Sequence, residues 1–389
     1  MTTVLDEQDR YKEIRPYNDD EVPAAIERLI SDEELISAVA RFRFPQAVNY
    51  FGWLLKPLIR HALHKRVANV RTVDDVQQQV AHFMEQMIAK TTDGVTYSGL
   101  ENLKSDQSYL FISNHRDIAM DPAFVNWGMY QCGLDTVRIA IGDNLLRKPC
   151  ATELMRLNKS FIVKRSAKGP REMARTFSEL SSYIADSLKD GHSIWIAQKE
   201  GRAKDGDDRT DPAILKMFYM AGKQKKLGFA EYMQQLNIVP VAISYEYDPG
   251  DEAKARELYE TSTNGSYQKG EFEDIESIVS GIVGYKGRVH VSIGQPLKDG
   301  FDTPEELAAQ IDRAIHSQYR LFAVRGRGCT TNGRLRCIGL AGRFVQYLCK
   351  GALRRCHGTV HEQAKERQLN QQRRAGKRQQ GSSAGKADT

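Results

Sequence analysis

Seven short runs rich in β-branched and aromatic residues, VTYSGL, SYLFIS, VRIAIG, FIVK, SIWIAQ, IVPVAISYEY and RVHVSIG, recur along the middle of the chain. Such runs suit buried, pleated backbone, because branched and aromatic side chains pack well on both faces of a strand. Between them lie stretches with helical patterning at residues 121–132, 170–189, 212–235 and 303–322. Strands alternating with helices constrain the chain to an α/β fold, in which helices cover a mixed, mostly parallel sheet. That domain is expected to span residues 93–325. Residues 250–285, rich in Glu, Gly and Ser, read as an insertion or lid.

The flanks have a different character. Residues 1–20 are polar and acidic and are expected to be unstructured, and residues 21–92 form a helical segment with helices near 22–42, 45–67 and 73–90. The second of these crowds Tyr50, Phe51, Trp53, Leu54, Leu55, Leu58, Ile59 and Leu63 among basic residues. Packing on the core is the first reading, and lying in the interfacial layer of a bilayer is the alternative. Pro57 is expected to kink or break this helix.

At the other end, residues 326–361 form a basic amphipathic segment, and residues 362–389 hold too few apolar groups to offset ordering and are expected to be disordered. From Arg320 to Thr389 there are sixteen Lys or Arg against three acids, whereas the rest of the chain has 40 basic and 47 acidic residues. This asymmetry points to a polyanionic partner for the tail. The apolar side of 336–355 favours an anionic membrane surface over nucleic acid. No run of about eighteen apolar residues is present, so any membrane contact is expected to be peripheral. Cysteines at 132, 150, 329, 337, 349 and 356 form no CxxC pair, and no secretory signal precedes them. They read as reduced thiols in the cytoplasm, and the last four, with His357 and His361, are spaced too widely for a zinc knuckle.

The chemistry concentrates at the end of the second strand, in SYLFISNHRDIAMDPAF. Polar residues at the mouth of a buried strand are a usual place for catalysis in α/β folds. His115 stands there, after Asn114, with Asp117 and Asp121 within six residues. A carboxylate near a histidine can fix its tautomer and stabilise the imidazolium that forms when it takes a proton from a hydroxyl. An Asp before Pro122 also suits a helix cap, which is the bland reading of Asp121. Three further segments follow in order: NKSFIVKR at 158–165, WIAQKEGRAKDG at 195–206 and NIVPVAISYE at 237–246.

In this order the four segments resemble the sequence blocks of the glycerolipid acyltransferases, the 1-acylglycerol-3-phosphate and glycerol-3-phosphate acyltransferase family. The resemblance covers roughly residues 108–246. It implies that His115 deprotonates an acceptor hydroxyl and that an aspartate supports it. HRDIAMD places five residues between His115 and Asp121 where the family usually has four, so Asp121 is the first choice of partner and Asp117 the alternative. The second block implies an acceptor-phosphate site at Phe161, Ile162, Lys164 and Arg165. The third matches Glu200, Gly201 and Arg202 with one residue missing before the arginine, and Lys204 adds positive charge. The fourth, with Pro240, is linked in the family to the acyl donor or to pocket shape.

The expected reaction is direct transfer of a fatty acyl group from acyl-CoA or acyl-ACP to a hydroxyl of a glycerol-phosphate or lysophospholipid acceptor. It needs neither a metal nor an organic cofactor, and no cysteine lies in the four blocks to serve as a covalent carrier. The expected place is the cytoplasmic face of a membrane. Two rival readings are a metal-dependent hydrolase using His115, Asp117 and Asp121, with His192 as a further candidate ligand, and a protein that binds polyanions through its tail. The stretch KDGDDRTDP lacks the spacing of a calcium loop and reads as a flexible, charged turn.

Overall fold

In a computed structural model the described residues are 9–270 and 273–322. Contacts divide the chain into two units, Met1–Lys204 with Asp208–Arg325, and Asp205–Asp207 with Gly326–Thr389. In the second unit only the turn at 205–207 is described, in which the Asp207 amide donates to Asp205 Oδ1 (3.0 Å). The expected amphipathic segment 326–361 and tail 362–389 lie outside the described residues.

The first unit opens with four helices, α1 (Val22–Ser31), α2 (Glu33–Arg43), α3 (Val48–Val67) and α4 (Val73–Thr91). There follow β1 (Val95–Ser98), β2 (Leu110–Ser113), α5 (Met120–Gln131), β3 (Arg138–Gly142), α6 (Pro149–Leu157), β4 (Ser160–Val163), α7 (Pro170–Lys189) and β5 (Ile194–Ala197). The remainder is α8 (Pro212–Gln224), α9 (Phe229–Gln235), β6 (Ile238–Tyr245), α10 (Asp251–Asn264), α11 (Glu273–Val283), β7 (Val289–Ile293) and α12 (Pro304–Gln318). All seven expected strands form. They make one sheet in the order β1-β7-β6-β2-β5-β3-β4, parallel throughout except between β6 and β7.

Period-two alternation sends side chains of each strand to opposite faces. Leu110 and Ile112 of β2 join a core built with α7, α8, α9 and α12, while Phe111 joins a second core with α4 and α5. Pro240 sits inside β6 without breaking the ladder. Its carbonyl accepts from the Gly294 amide (2.8 Å), just past the end of β7, so the missing N–H lies on that same side, at the end of the β6–β7 ladder, and not against β2. From β2 the chain moves outward past β5 to β3, and later returns past β2 to β6. The C-terminal end of β2 is therefore a topological switch point, where α/β sheets open a crevice.

Three expectations need correction. Residues 9–20, expected to be unstructured, are packed: Ile14 is buried and its carbonyl accepts from the Ile162 amide on β4, and Tyr11 stands edge-on to Tyr183. Two isolated apolar side chains in a polar stretch give no periodic signal, so only the tertiary contact reveals them. Helix α3 continues through Pro57, and the departure from helical dihedrals comes at Phe51 (φ −120°, ψ 19°). Stretches 22–42 and 212–235 each form two helices: Asp32 leaves the helical region (ψ 120°) between α1 and α2, and Lys226 takes a left-handed φ of 56° before α9 begins. Residues 250–285 contain α10 and α11, which pack beside the switch point.

Candidate active site

Beyond Ser113 the β2–β6 ladder ends, and Asn114 continues it with its side chain. The Asn114 amide nitrogen donates to the Ile243 carbonyl (3.0 Å), and its oxygen accepts from the Ile243 amide (2.8 Å). A carboxamide carries the same donor and acceptor as a peptide group, so it can occupy the ladder while the main chain turns away. His115 emerges from that turn with its ring edge-on to Trp195, on the Phe111 face of the sheet.

His115 Nδ1 lies 2.9 Å from Asp121 Oδ2. The same oxygen accepts from the Arg116 amide (2.6 Å) and the Asp117 amide (2.9 Å), and Oδ1 accepts from the Tyr245 hydroxyl (2.7 Å). Asp121 has no solvent exposure, so these four donors replace the water a carboxylate would otherwise hold. A carboxylate can only accept, so Nδ1 carries the proton toward Asp121. In the neutral ring Nε2 then presents its lone pair, and among the described residues no side chain bonds it. Desolvation, and then the Asp121 charge, raises the Tyr245 pKa well above its ordinary value, which keeps that hydroxyl a donor.

Asp117 does other work. Its Oδ1 accepts from the Ala119 amide (2.9 Å) and the Met120 amide (2.8 Å), capping the entry to α5. The capping role read for Asp121 thus belongs to Asp117, and Asp121 is the second residue of the helix, turned back toward His115. Burial first, and the neighbouring Asp121 charge second, push the Asp117 carboxyl above the usual carboxylate range. The rival metal reading added His192 as a further candidate ligand. That residue precedes β5 whereas His115 follows β2, and these strands are parallel with Leu110 beside Ile194, so the two histidines stand at opposite ends of the sheet. Among the described residues no group of three metal-ligating side chains gathers.

The expected anion-binding residues come to the same end of the sheet by different routes. Phe161 is buried in the core against Tyr183, and Ile162 is half-buried on the same core. Beyond them the chain carries Lys164 and Arg165 past the end of β4. The Arg165 guanidinium crosses the end of β3, where a β-carbon at Gly142 would lie 2.9 Å from its Nε, and pairs with Glu200 (3.2 Å). Gly201 adopts a left-handed φ of 75°, open to glycine without steric cost. Arg202 donates to the Ser277 hydroxyl on α11 (2.6 Å), and Lys204 pairs with Glu257 on α10 (2.5 Å). Pro240 is buried within β6.

Residues 94–245 match the family model described as Acyltransferase. The chain carries an acyltransferase-family domain. No curated protein matches the chain. Among solved structures, it is similar to the 1-acyl-sn-glycerophosphate acyltransferase PlsC from Thermotoga maritima, at 16% identity and a TM-score of 0.40 over 76% of this chain and 95% of that one. It is also similar to the signal recognition particle receptor FtsY from Elizabethkingia anophelis in complex with GDP, at 8% identity and a TM-score of 0.21 over 74% and 89% of the two chains.

Several residues around the candidate site have no place in the sequence reading. Tyr245 was within reach of it, since it shares the parity of Val241 and Ile243 on the Phe111 face of the sheet. Asp208 was assigned to a flexible turn, yet it is fully buried, 3.1 Å from the Arg116 guanidinium and hydrogen-bonded by the Tyr319 hydroxyl. Lys254 and Gly281 come from α10 and α11, outside the matched residues. Gly281 lies so close to the site that a β-carbon there would overlap the Asp117 carboxylate. A glycine inside the pattern EDIESIVSGIV is a signal for such close approach.

Proposed function

We propose that the acyltransferase domain moves a fatty acyl group from a thioester donor, acyl-CoA or acyl-ACP, to a hydroxyl of a glycerol-phosphate or lysophospholipid acceptor, with His115 as general base. The observation that carries this reading is the His115–Asp121 pair at the switch point, built so that Nε2 is left to offer its lone pair. Nε2 takes the hydroxyl proton as the oxygen attacks the thioester carbonyl. The tetrahedral intermediate then collapses, the carbon–sulfur bond breaks, and the departing thiolate receives the proton from the imidazolium. Asp121 holds the ring and offsets its transient charge. Lys164, Arg165, Arg202 and Lys204 supply cations for the acceptor phosphate, with arginine able to grip two of its oxygens. Three of these four are engaged by Glu200, Ser277 and Glu257, polar partners that a phosphate would replace.

The membrane face of this proposal rests on α2 and α3. Phe42, Tyr50 and Trp53 are 73%, 78% and 75% exposed, with Phe51, Leu54 and Leu58 also exposed nearby. No helix among the described residues is long and apolar enough to cross a membrane. An exposed apolar surface with Arg41, Arg43, Lys56 and Arg60 around it suits the interfacial layer, where rings sit among acyl chains and cations meet headgroups.

General-base assistance contributes about 10² to 10⁴ in rate. His115→Ala should therefore lose turnover by that order while its circular dichroism matches wild type. A mass-spectrometric assay offering mixed acyl-CoA and acyl-ACP donors to several lysolipid and glycerol phosphate acceptors reads both the loss and the substrate pair. Near-normal turnover in the variant would sink the proposal.

A further inference from the structure

The loop that carries His115 is held at its centre by a residue far away in sequence. Arg116 lies between His115 and Asp117, and the two peptide groups that flank it are both held. Its N–H donates to Asp121 Oδ2, the oxygen that bonds His115, and its carbonyl accepts from Lys254 Nζ at 2.7 Å. Lys254 comes from the first turn of α10 and is only 5% exposed. Its ammonium is also paired with Asp248, and a β-carbon at Gly250 would meet both Lys254 Cε (3.7 Å) and Arg202 Nη1 (3.8 Å). Burying an ammonium is costly unless it is paired and hydrogen-bonded, and this one directs a donor at a single backbone carbonyl of the histidine loop.

We propose that Lys254 is a positioning residue for acyl transfer. This role rests on the reading of His115 and Asp121 as the acid–base pair. By drawing the Arg116 carbonyl toward α10, Lys254 fixes the plane of the Arg116–Asp117 peptide, which aims the Asp117 amide at Asp121 Oδ2 and, through the shared Arg116 α-carbon, steadies the Arg116 amide on the same oxygen. That oxygen in turn sets the orientation of the His115 ring. The Asp208 contact to the Arg116 guanidinium anchors the same residue from the other side. The insertion 250–285 is thus part of the catalytic apparatus although it supplies no reacting group.

Small displacements of a reacting group cost up to about 10²-fold in rate. In the full chain, Lys254→Met should lower kcat about 10- to 10²-fold, with KM for donor and acceptor within about twofold of wild type, the split expected for a lost orientation rather than lost binding. Hydrogen–deuterium exchange should accelerate at the Arg116 and Asp117 amides while the amides of β2, β5 and β6 keep wild-type protection. Lys254→Arg, which retains a cation beside Asp248 and a displaced donor, should lose less. The double variant Asp248→Asn/Lys254→Met leaves no unpaired carboxylate and should show the same kinetic defect, and it carries the test if the single variant does not fold. Wild-type kcat, a loss confined to KM, or unchanged exchange at the two amides would each overturn the role. Unchanged kcat beside an inactive His115→Ala overturns the positioning role and leaves the acid–base reading standing. An active His115→Ala overturns both.

Discussion

Two aspartates four residues apart share one loop and have separate duties, and an isosteric swap distinguishes them. Asn at 121 can keep an oxygen on the His115 side, accepting from the ring and from the 116 and 117 amides, so Asp121→Asn removes charge more than geometry. The imidazolium of the transition state then lacks its counter-charge, and kcat should fall by at least about tenfold. Asn at 117 keeps the oxygen that caps Ala119 and Met120, and turnover should stay within about threefold of wild type, as expected for a cap that touches no reacting group. The raised pKa of Asp117 has a definite sign for stability: its contribution is present below the ordinary carboxylate range and is lost as pH rises through the folded value. Once the pH has risen through that folded value the ionised carboxylate is a burden, and there Asp117→Asn should melt at or above the wild-type temperature. His115 and its two candidate partners were legible in NHRDIAMD because the chemistry is local. Asp121 was the first choice of partner there; what the sequence did not show is that its carboxylate reaches His115 from inside α5 while Asp117 takes the cap.

At the scale of elements, the strands were legible and their supports were not. Alternating β-branched runs mark buried strands wherever they occur, whereas α10 and α11 are recognisable only as helices and their docking on the His115 loop is a contact across more than a hundred residues. Gly281 is the point of closest approach. Gly281→Ala would drive a methyl group into the Asp117 carboxylate, and overpacking of this kind typically costs about 1 to 3 kcal/mol. Thermal melting should detect that loss, with a fall in turnover beyond it because α11 would be pushed off the catalytic loop. A melting temperature and activity equal to wild type would show that α11 stands further away.

For the whole molecule, the question is what the exposed rings of α2 and α3 meet. Ser replacements at Phe42, Tyr50 and Trp53 together should weaken partition onto vesicles of mixed zwitterionic and anionic phospholipid by about tenfold or more, given the apolar area removed. The measurement belongs at high salt, where attraction of the basic tail to headgroups is screened and apolar insertion is not. Equal partition would assign adsorption to the tail alone. The amphipathic character of residues 45–67 was visible in the sequence, but the choice between core and interface was not. It depends on how much of α3 the neighbouring helices cover: Ile59 is buried, while Tyr50 and Trp53 are not.

The arm before α1 bears on how the chain is made. β4 is the last strand of its sheet, and an uncovered strand edge invites pairing with other chains. Ile14 meets that edge through the Ile162 amide, and Arg156 donates to the Lys12 and Arg15 carbonyls. A ribosome therefore releases the cover long before it releases the strand. β4 emerges into a cell where the segment that shields it from other nascent chains is already waiting on the same polypeptide.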